Sequence, residues 1–256
     1  MRREDVYLND LSLRQVDPRI INVVVVEPDA QEDIGYAAFP GRPGQRVIRR
    51  QRLSKKIQVQ FGIRELYNLA RRAEIIDAVN RWAADGALST TTHPDRIAQV
   101  IVTKYAAAAD VRDYNGAYSV EFEAAGIPYW QDATPARLDL TGASASGKLL
   151  IYGSAETALD ADVTPTGDAM TSLTITATSA DGGASSMTFS GLSVAVGSTV
   201  SLSHDADGML TLSSGLLAAR TAASDDDLLA RPGEATIAVT ANAAVSATIR
   251  ARGRWR

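Results

Sequence analysis

Residues 127–135 read Ile-Pro-Tyr-Trp-Gln-Asp-Ala-Thr-Pro, and they separate two stretches of different composition. Up to Thr134 the chain carries 18 basic and 18 acidic residues, so this half is neutral but densely charged. From Pro135 onward there are 8 basic and 12 acidic residues among many Ala, Ser, Thr and Gly. Such a change within 256 residues indicates two domains of ordinary size, residues 1–134 and 135–256. The predicted junction residues are Pro128, Tyr129, Trp130 and Pro135.

The first half has the pattern of β-strands around one helix. Residues 20–26 form a β-branched run of strand length, which we expect to be covered on both faces. In residues 57–61 apolar side chains alternate with glutamines, the period of a strand with one buried face. Residues 66–83 then place apolar side chains at helical spacing, and Gly86 follows where a left-handed cap is wanted. Two further strands are predicted at residues 97–105 and 118–123.

Residues 35–56 break these patterns. The segment contains two prolines and three glycines, which rarely occupy the interior of a regular element. One interpretation is a solvated surface loop that leads into a charged strand. The other is an arm that contacts a neighbouring subunit or another protein component, because arginine offers planar, multidentate donors. The candidate interface residues are Arg42, Arg46, Arg49, Arg50 and Arg52.

The second half consists of short apolar stretches separated by Gly, Ser and Asp, which is typical of a β-sandwich or jelly roll. Asp207-Gly208 is a strong hairpin-turn signal. A terminal hairpin is also predicted from residues 237–239 and 245–249, with its turn at Ala241-Asn242. The predicted strands are residues 149–152, 173–176, 187–189, 200–202, 210–212 and 237–239.

Composition excludes several kinds of site. The chain has no cysteine, which removes disulfides, thiolate metal sites and cysteine nucleophiles. A net charge of -4 argues against a dedicated nucleic-acid binder. The charged first residues lack a signal-peptide core, and the longest apolar run is too short to span a bilayer. We therefore expect a soluble chain without an export signal and without membrane insertion.

No catalytic or cofactor site emerges from the motifs. The two histidines, His93 and His204, have no second histidine at ligand spacing, and neither a nucleophile elbow nor a phosphate-binding loop occurs. Residues 204–208 resemble the start of a calcium loop but lack its later ligands, so a polar hairpin turn is the favoured interpretation. In residues 224–227, Ser or Asp caps a short helical turn, with a metal role as the alternative. We predict no enzyme, no cofactor and no metal.

Several segments, taken in order, carry a resemblance to a known family. In the first half they are Gly-Arg-Pro-Gly at 41–44, the run 52–61, Arg-Trp at 81–82, His-Pro-Asp-Arg at 93–96, 120–124 and 127–130. Near the carboxyl end they are 224–234 and Arg-Gly-Arg-Trp at 252–255. With these segments the sequence resembles the distal tail proteins (Dit) of long-tailed, non-contractile bacteriophages.

The resemblance implies a mainly β fold in which the two domains have different structures and roles. The amino-terminal domain, a β-structure with one helix, is expected to form a hexameric ring around a channel, as one ring or two stacked rings. The carboxyl-terminal domain is expected to be a galectin-like β-sandwich. The implied partners are further copies of the chain, the tail tube protein, the tip or baseplate hub protein and receptor-binding proteins, while genomic DNA only passes through the channel. The implied location is the distal end of the virion tail, after synthesis in the host cytoplasm.

Two departures from the family leave alternatives open. Asp10 stands where many relatives have Gly after Asn, and the galectin sugar-binding His-x-Asn-x-Arg set has no counterpart here. The sandwich is therefore carried over without the sugar site. The alternatives are a carbohydrate-binding module in residues 135–256 that acts in host adsorption, and a tail-tube protein that polymerises into long tubes.

Overall fold

The computed structural model describes residues 4–27, 32–38, 45–65, 68–106, 118–124 and 126–256. By its internal contacts the chain divides into Met1–Tyr129, called unit 1, and Trp130–Arg256, called unit 2. Both consist mainly of antiparallel strands, which confirms the predicted mainly β fold class. The domain boundary between residues 134 and 135 stays a prediction, because a division by contacts does not test whether each part folds alone.

Unit 1 is built on a twisted antiparallel sheet whose strands follow the order β2-β1-β7-β8-β9-β6-β3. The strands β4 and β5 pair with each other in a separate two-stranded sheet. The elements are β1 (Val6–Leu8), β2 (Leu11–Ser12), α1 (Leu13–Val16), β3 (Ile20–Val26), β4 (Glu32–Ala38), β5 (Gln45–Arg52), β6 (Lys55–Ile63), α2 (Leu69–Trp82), β7 (Gly86–Thr90), β8 (Arg96–Lys104) and β9 (Tyr118–Ala124).

The core of unit 1 lies where β6, β9 and α2 meet. Every second residue of β6 is buried, as its alternating sequence predicts. Phe61 of β6 stacks on Tyr118 of β9 with ring centroids 5.7 Å apart. Phe122 of β9 meets Trp82 of α2 edge to face at 6.1 Å, a favourable aromatic geometry. The indole Nε1 of Trp82 also donates a hydrogen bond to the carbonyl oxygen of Leu11 at 2.8 Å, so this large side chain is buried without an unsatisfied donor.

The predicted helix is present, but both of its ends differ from the prediction. It begins at Leu69, where the side chain of Asn68 caps it by accepting from the backbone N–H of Arg71. Leu66, the predicted start, lies outside the described residues. The helix ends at Trp82, and Gly86 is not its cap: this residue opens β7 at φ +152°. A Cβ there would lie 2.1 Å from the side-chain oxygen of Asn9, so glycine is required for close packing.

The first long strand, β3, is present at the predicted residues, but its burial was predicted wrongly. Val24 and Val26 are 44% and 36% exposed. The reason is position: β3 lies at the end of the sheet, where β6 is its partner among the described strands. A register shift between Ile21 and Val24, with Asn22 at φ +51°, bulges this edge.

Unit 2 is an antiparallel sheet with the order β14-β13-β18-β12-β15-β16, in which β11 also pairs with β18 and β17 with β12. The strands β10 and β19 pair through Trp130 and Trp255. The elements are β10 (Trp130–Asp132), β11 (Ala136–Ile151), β12 (Thr157–Pro165), β13 (Met170–Thr178), β14 (Ala184–Val194), β15 (Val200–His204), β16 (Leu210–Leu212), α3 (Ser214–Ala219), β17 (Leu229–Ala230), β18 (Gly233–Ala251) and β19 (Arg254–Trp255).

One long strand, β18, folds this sheet around a single core. Its residues 233–241 pair with β11 and β13, whereas residues 245–251 pair with β11 and β12. Ile237 from the first segment and Ile249 from the second are both fully buried in the same cluster. A strand that passes from one layer to the other in this way forms the corner of a β-sandwich.

The predicted terminal hairpin is therefore wrong, because the chain continues straight through Ala241-Asn242 within β18. Asn242 does not form a turn. Its side-chain oxygen accepts from the backbone N–H groups of Thr171 and Ser172, and its amide donates to the carbonyl of Ala169. The side chain thus satisfies a neighbouring strand at the place where the ladder between β18 and β13 ends.

The remaining predictions for unit 2 have mixed outcomes. The predicted strands are all present, and the turn at Asp207-Gly208 joins β15 to β16 as expected. The stretch at 149–152 is only the end of the 16-residue strand β11. No helical turn follows Ser224: the chain there runs in bends to β17, and the short helix α3 precedes it instead.

Candidate functional site

A two-stranded hairpin, β4–β5, lies largely in residues 35–56, for which the sequence allowed either a surface loop or an interacting arm. The strands pair from Glu32↔Arg52 to Ala38↔Gln45, with a register shift after Gly35. Among the described strands neither has another partner. The expectation that residues 35–56 lack regular structure is therefore wrong for the residues that belong to β4 and β5, and Gly35 lies within β4, whereas both prolines and the other two glycines lie outside the described residues. We call this hairpin the arm.

The arm exposes a cross-strand pair of apolar side chains. Tyr36 on β4 faces Val47 on β5 in register, and the two are 56% and 49% exposed. Aromatic and β-branched residues opposite each other stabilise a strand pair, but an isolated two-stranded ribbon is marginal in water. The arm therefore presents exposed apolar side chains on a ribbon that pairs with no further strand among the described residues.

The candidate arginines lie along the arm. The backbones of four of them, Arg46, Arg49, Arg50 and Arg52, belong to β5, whereas Arg42 lies outside the described residues. Their role at an interface stays a prediction. Residues 32–52 contain five arginines and two acidic residues, so the segment is cationic in a unit of balanced charge.

An ion pair lies at the base of the arm. The Nζ of Lys55, a buried residue at the start of β6, lies 2.6 Å from a carboxylate oxygen of Glu27, just after β3. The pair joins the two strands from which the arm extends. Glu27 is exposed, so loss of its carboxylate would leave the charge of the buried Lys55 without this partner, which is destabilising. We infer that this pair helps to hold the base of the arm in register.

The free edge of unit 1 is its second candidate surface. In the described part of the chain, the edge strand β3 has nothing paired on its outer side and presents the exposed side chains of Val24 and Val26. An exposed apolar edge strand is a template for pairing with another chain. Unit 1 thus combines an open edge with a cationic arm.

Unit 2 differs, because its edge strand β14 is covered. Residues 220–229, which we call the strap, run along its outer side. The backbone N–H of Asp225 donates to the carbonyl of Ser186 at 2.8 Å, and the N–H of Ser186 donates back to the Asp225 carboxylate at 2.6 Å. The N–H of Thr188 donates to the Ser224 hydroxyl at 2.9 Å. The residues predicted as a helix cap therefore cap a strand edge instead.

A buried histidine fastens the strap. His204 Nε2 lies 2.8 Å from a carboxylate oxygen of Asp227 in the strap, and Nδ1 lies 2.8 Å from a carboxylate oxygen of Asp160 in β12. Burial lowers the pKa of His204, but the hydrogen bonds and the charges of both carboxylates outweigh it and raise the pKa to about 9. The imidazolium form therefore bridges two acids at neutral pH. We call this trio the clasp.

No local pattern in the sequence indicates the clasp, because beside His204 the residues 205–208 predict only a polar turn. Those neighbours form the predicted polar turn, in which the Asp205 carboxylate accepts from the N–H groups of Asp207 and Met209. The true partners are 44 and 23 residues away, and no local spacing links them. In the described ranges, no group of three acidic or histidine side chains is arranged to hold a metal ion.

The predicted junction residues fall at the division between the two units. Tyr129 is the last residue of unit 1 and Trp130 the first of unit 2. Trp130 is buried and lies opposite Trp255, whose indole Nε1 donates to the Asp132 carboxylate at 2.8 Å. The two ends of unit 2 are thus tied together. Pro128 and Pro135 are half-buried, and a role for these residues as a functional junction stays a prediction.

Within the described ranges, no helix has the length and apolar character needed to cross a membrane.

No protein-family model matches the sequence, and no curated protein matches it. Among solved structures, the Dit protein of phage SPP1, described as a paradigm of the hub adsorption apparatus in phages that infect Gram-positive bacteria, matches with a TM-score of 0.72 at 11% identity. The match covers 98% of this chain and 99% of that one.

Two chains from structures of the phage p2 baseplate in its activated conformation, with strontium and with calcium, have TM-scores of 0.43 and 0.42 at 10% identity. Each covers at least 98% of both chains, but such scores do not establish a common fold. The likeness to the SPP1 protein confirms the fold that the sequence resemblance implied. Over nearly its whole length, this chain has the fold of a phage Dit protein.

Proposed function

We propose that this chain is a structural, non-enzymatic component of a phage tail. It acts at the distal end of the tail, after synthesis in the host cytoplasm. Copies of unit 1 form a ring, most simply of six copies in one or two layers. The ring joins the tail tube to the tip or baseplate hub and leaves a channel for DNA. The observation that carries the proposal is the full-length fold likeness to the SPP1 Dit protein.

The surfaces of unit 1 support assembly. The arm carries an exposed Tyr36–Val47 pair on a ribbon that has no partner strand among the described residues. Covering such a pair on a neighbouring copy removes apolar area from water at about 25 cal/mol per Å². Repetition around a closed ring multiplies a modest gain per contact. The arginines of residues 42–52 supply donors for the acidic or carbonyl groups of that neighbour.

The experiment is negative-stain electron microscopy of the purified full chain, combined with light scattering over a range of concentrations. We expect discrete six-fold rings. A chain that stays monomeric at high concentration would overturn the proposal, whereas long regular tubes would assign the chain to the tail-tube class.

Matched variants assign the ring contact to the arm. Tyr36→Ser with Val47→Ser removes both exposed apolar side chains, and ring particles should fall at least tenfold. Leu217→Ser is the control: Leu217 in α3 of unit 2 is 66% exposed, more than Tyr36 or Val47, and its replacement should leave rings intact. Charge reversal of Arg49 and Arg50 to Glu should also abolish rings. Equal ring yield in all variants would exclude the arm as the contact.

A further inference from the structure

The edge strand β14 lacks the usual protections against pairing with another chain. Its eleven residues, Ala184–Val194, include no charged residue and no proline. Natural edge strands are normally blunted by lysine, proline, bulges or a covering segment. The inner side of β14 pairs with β13, so pairing with another chain would occur on its outer side. A register shift interrupts β14 between Ser190 and Val194, so over residues 184–190 the covering segment, the strap, is the protection that remains.

The strap forms hydrogen bonds with the outward-facing backbone N–H and C=O groups of β14, but it does not pair with β14 as a regular strand. Four of its bonds use strap side chains. The Ser224 hydroxyl both accepts from the N–H of Thr188 and donates to its carbonyl, the Thr221 hydroxyl donates to the same carbonyl, and the Asp225 carboxylate accepts from the N–H of Ser186. The N–H of Thr221 adds a bond to the Thr188 carbonyl. Because Ser224 and Asp225 supply three of these side-chain bonds, truncating both residues weakens the contact of the strap with the middle of β14.

The strap is anchored beyond this point. The Leu228 side chain is fully buried in the core of unit 2, and the clasp through His204 holds Asp227. Between these anchors and Arg220, whose guanidinium donates to the Asp225 carbonyl, the strap places acidic side chains over an uncharged strand. Asp226 is fully exposed there. The strap thus brings negative charge to an edge that has none of its own.

We propose that the strap is a guard that prevents β14 from pairing with β14 of a second copy of the chain. Two such edges are self-complementary when related by a two-fold axis, because each presents the N–H and C=O groups of Ser186 and Thr188. The closed strap occupies those groups and adds like charge to both copies. This device is independent of ring formation by unit 1.

The test compares two variants that remove the same charge. Ser224→Ala with Asp225→Ala deletes the side chains that bond to β14, whereas Asp226→Ala removes an exposed neighbour that does not. We expect at least a twofold rise in mean mass by light scattering for the first variant, relative to the unaltered chain, and none for Asp226→Ala. Adding Ser190→Lys, which places a charge on the exposed edge of β14, should reverse the rise.

Hydrogen exchange at Ser186 and Thr188 makes each outcome decisive. A raised mass with these amides still protected supports pairing of β14 edges. An unchanged mass overturns the proposal, whether exchange at these amides accelerates or stays the same. If the double variant unfolds by circular dichroism, His204→Ala opens the clasp from the opposite side, and its mass is judged in the same way.

Discussion

The clasp makes the stability of unit 2 depend on pH in a specific direction. The His204 side chain is 7% exposed and lies between Asp160 and Asp227. Its pKa, raised to about 9 in the folded chain, exceeds the ordinary value of 6.5. The folded state therefore binds this proton more tightly than the unfolded state. The stabilisation is complete below about pH 6.5 and is lost as the pH rises through about 9.

The size of the effect follows from the pKa difference and from solvent access. A rise from 6.5 to about 9 corresponds to roughly 3 kcal/mol of unfolding free energy. The two carboxylates are 35% and 26% exposed, so water screens part of each interaction. We expect a net loss of about 2 kcal/mol between pH 6.5 and pH 9.5.

The assay is urea unfolding of the full chain at several pH values, with amide hydrogen exchange of peptides from unit 2 as the local readout. His204→Gln removes the titrating group. Across this pH range, the unfolding free energy of this variant should therefore fall by about 2 kcal/mol less than that of the unaltered chain. His93→Gln, which alters the other histidine, should retain the full pH dependence. Lysines and tyrosines titrate in all three proteins, so their contribution cancels. Equal slopes for the unaltered chain and His204→Gln would refute the reasoning.

Two further predictions concern packing. Gly253→Ala places a Cβ 2.1 Å from the carbonyl oxygen of Tyr152, so thermal unfolding should show a loss of at least ~2 kcal/mol in the free energy of unfolding. Gly215→Ala is the control: a Cβ there has no atom within 4 Å, so this change should be neutral or slightly stabilising. Trp82→Phe keeps an aromatic ring near Phe122 but removes the donor to the Leu11 carbonyl. Urea titration should show a loss of about 1 kcal/mol in the free energy of unfolding, and an unchanged midpoint would mean that water replaces this bond.

The parts of the fold that sequence predicted are those in which local pattern and burial agree. The alternation along β6 reflects one buried face, so periodicity alone located this strand. The helical spacing located α2 but only part of its buried face, because Leu69 is 49% exposed whereas Trp82 is buried. The hairpin turn at Asp207-Gly208 was equally readable, since Gly208 has φ +78° and needs no distant partner. In these segments the local preference and the tertiary contacts favour the same structure.

The parts that sequence missed depend on partners far along the chain. Residues 141–147, rich in Gly, Ala and Ser, have the composition of a loop, yet they lie within β11 because β18 pairs with them. The turn expected at Ala241-Asn242 is absent because β13 supplies partners for the Asn242 side chain. The clasp joins residues 160, 204 and 227, and no local motif brings such positions together.

The change of composition at residues 127–135 coincides with a difference between the edge strands of the two units. In unit 2, β14 is covered by the strap, and β16 has only three residues. The long edge strand β11 is interrupted by a bulge between Gly142 and Ser144 and carries the exposed Arg137–Asp139 pair. All of these features oppose pairing with another chain.

Unit 1 differs in its exposed apolar side chains, although its edge strand β3 also carries a bulge, between Ile21 and Val24. Its edge strand β3 exposes valines, and its arm exposes Tyr36 and Val47 beside a cluster of arginines in the sequence. Within the proposed function, this contrast favours assembly through unit 1. The densely charged composition of unit 1 fits this role, because charged side chains keep such surfaces soluble until a partner covers them. The abundant Ser, Thr and Ala of unit 2 fit a sheet that needs no partner.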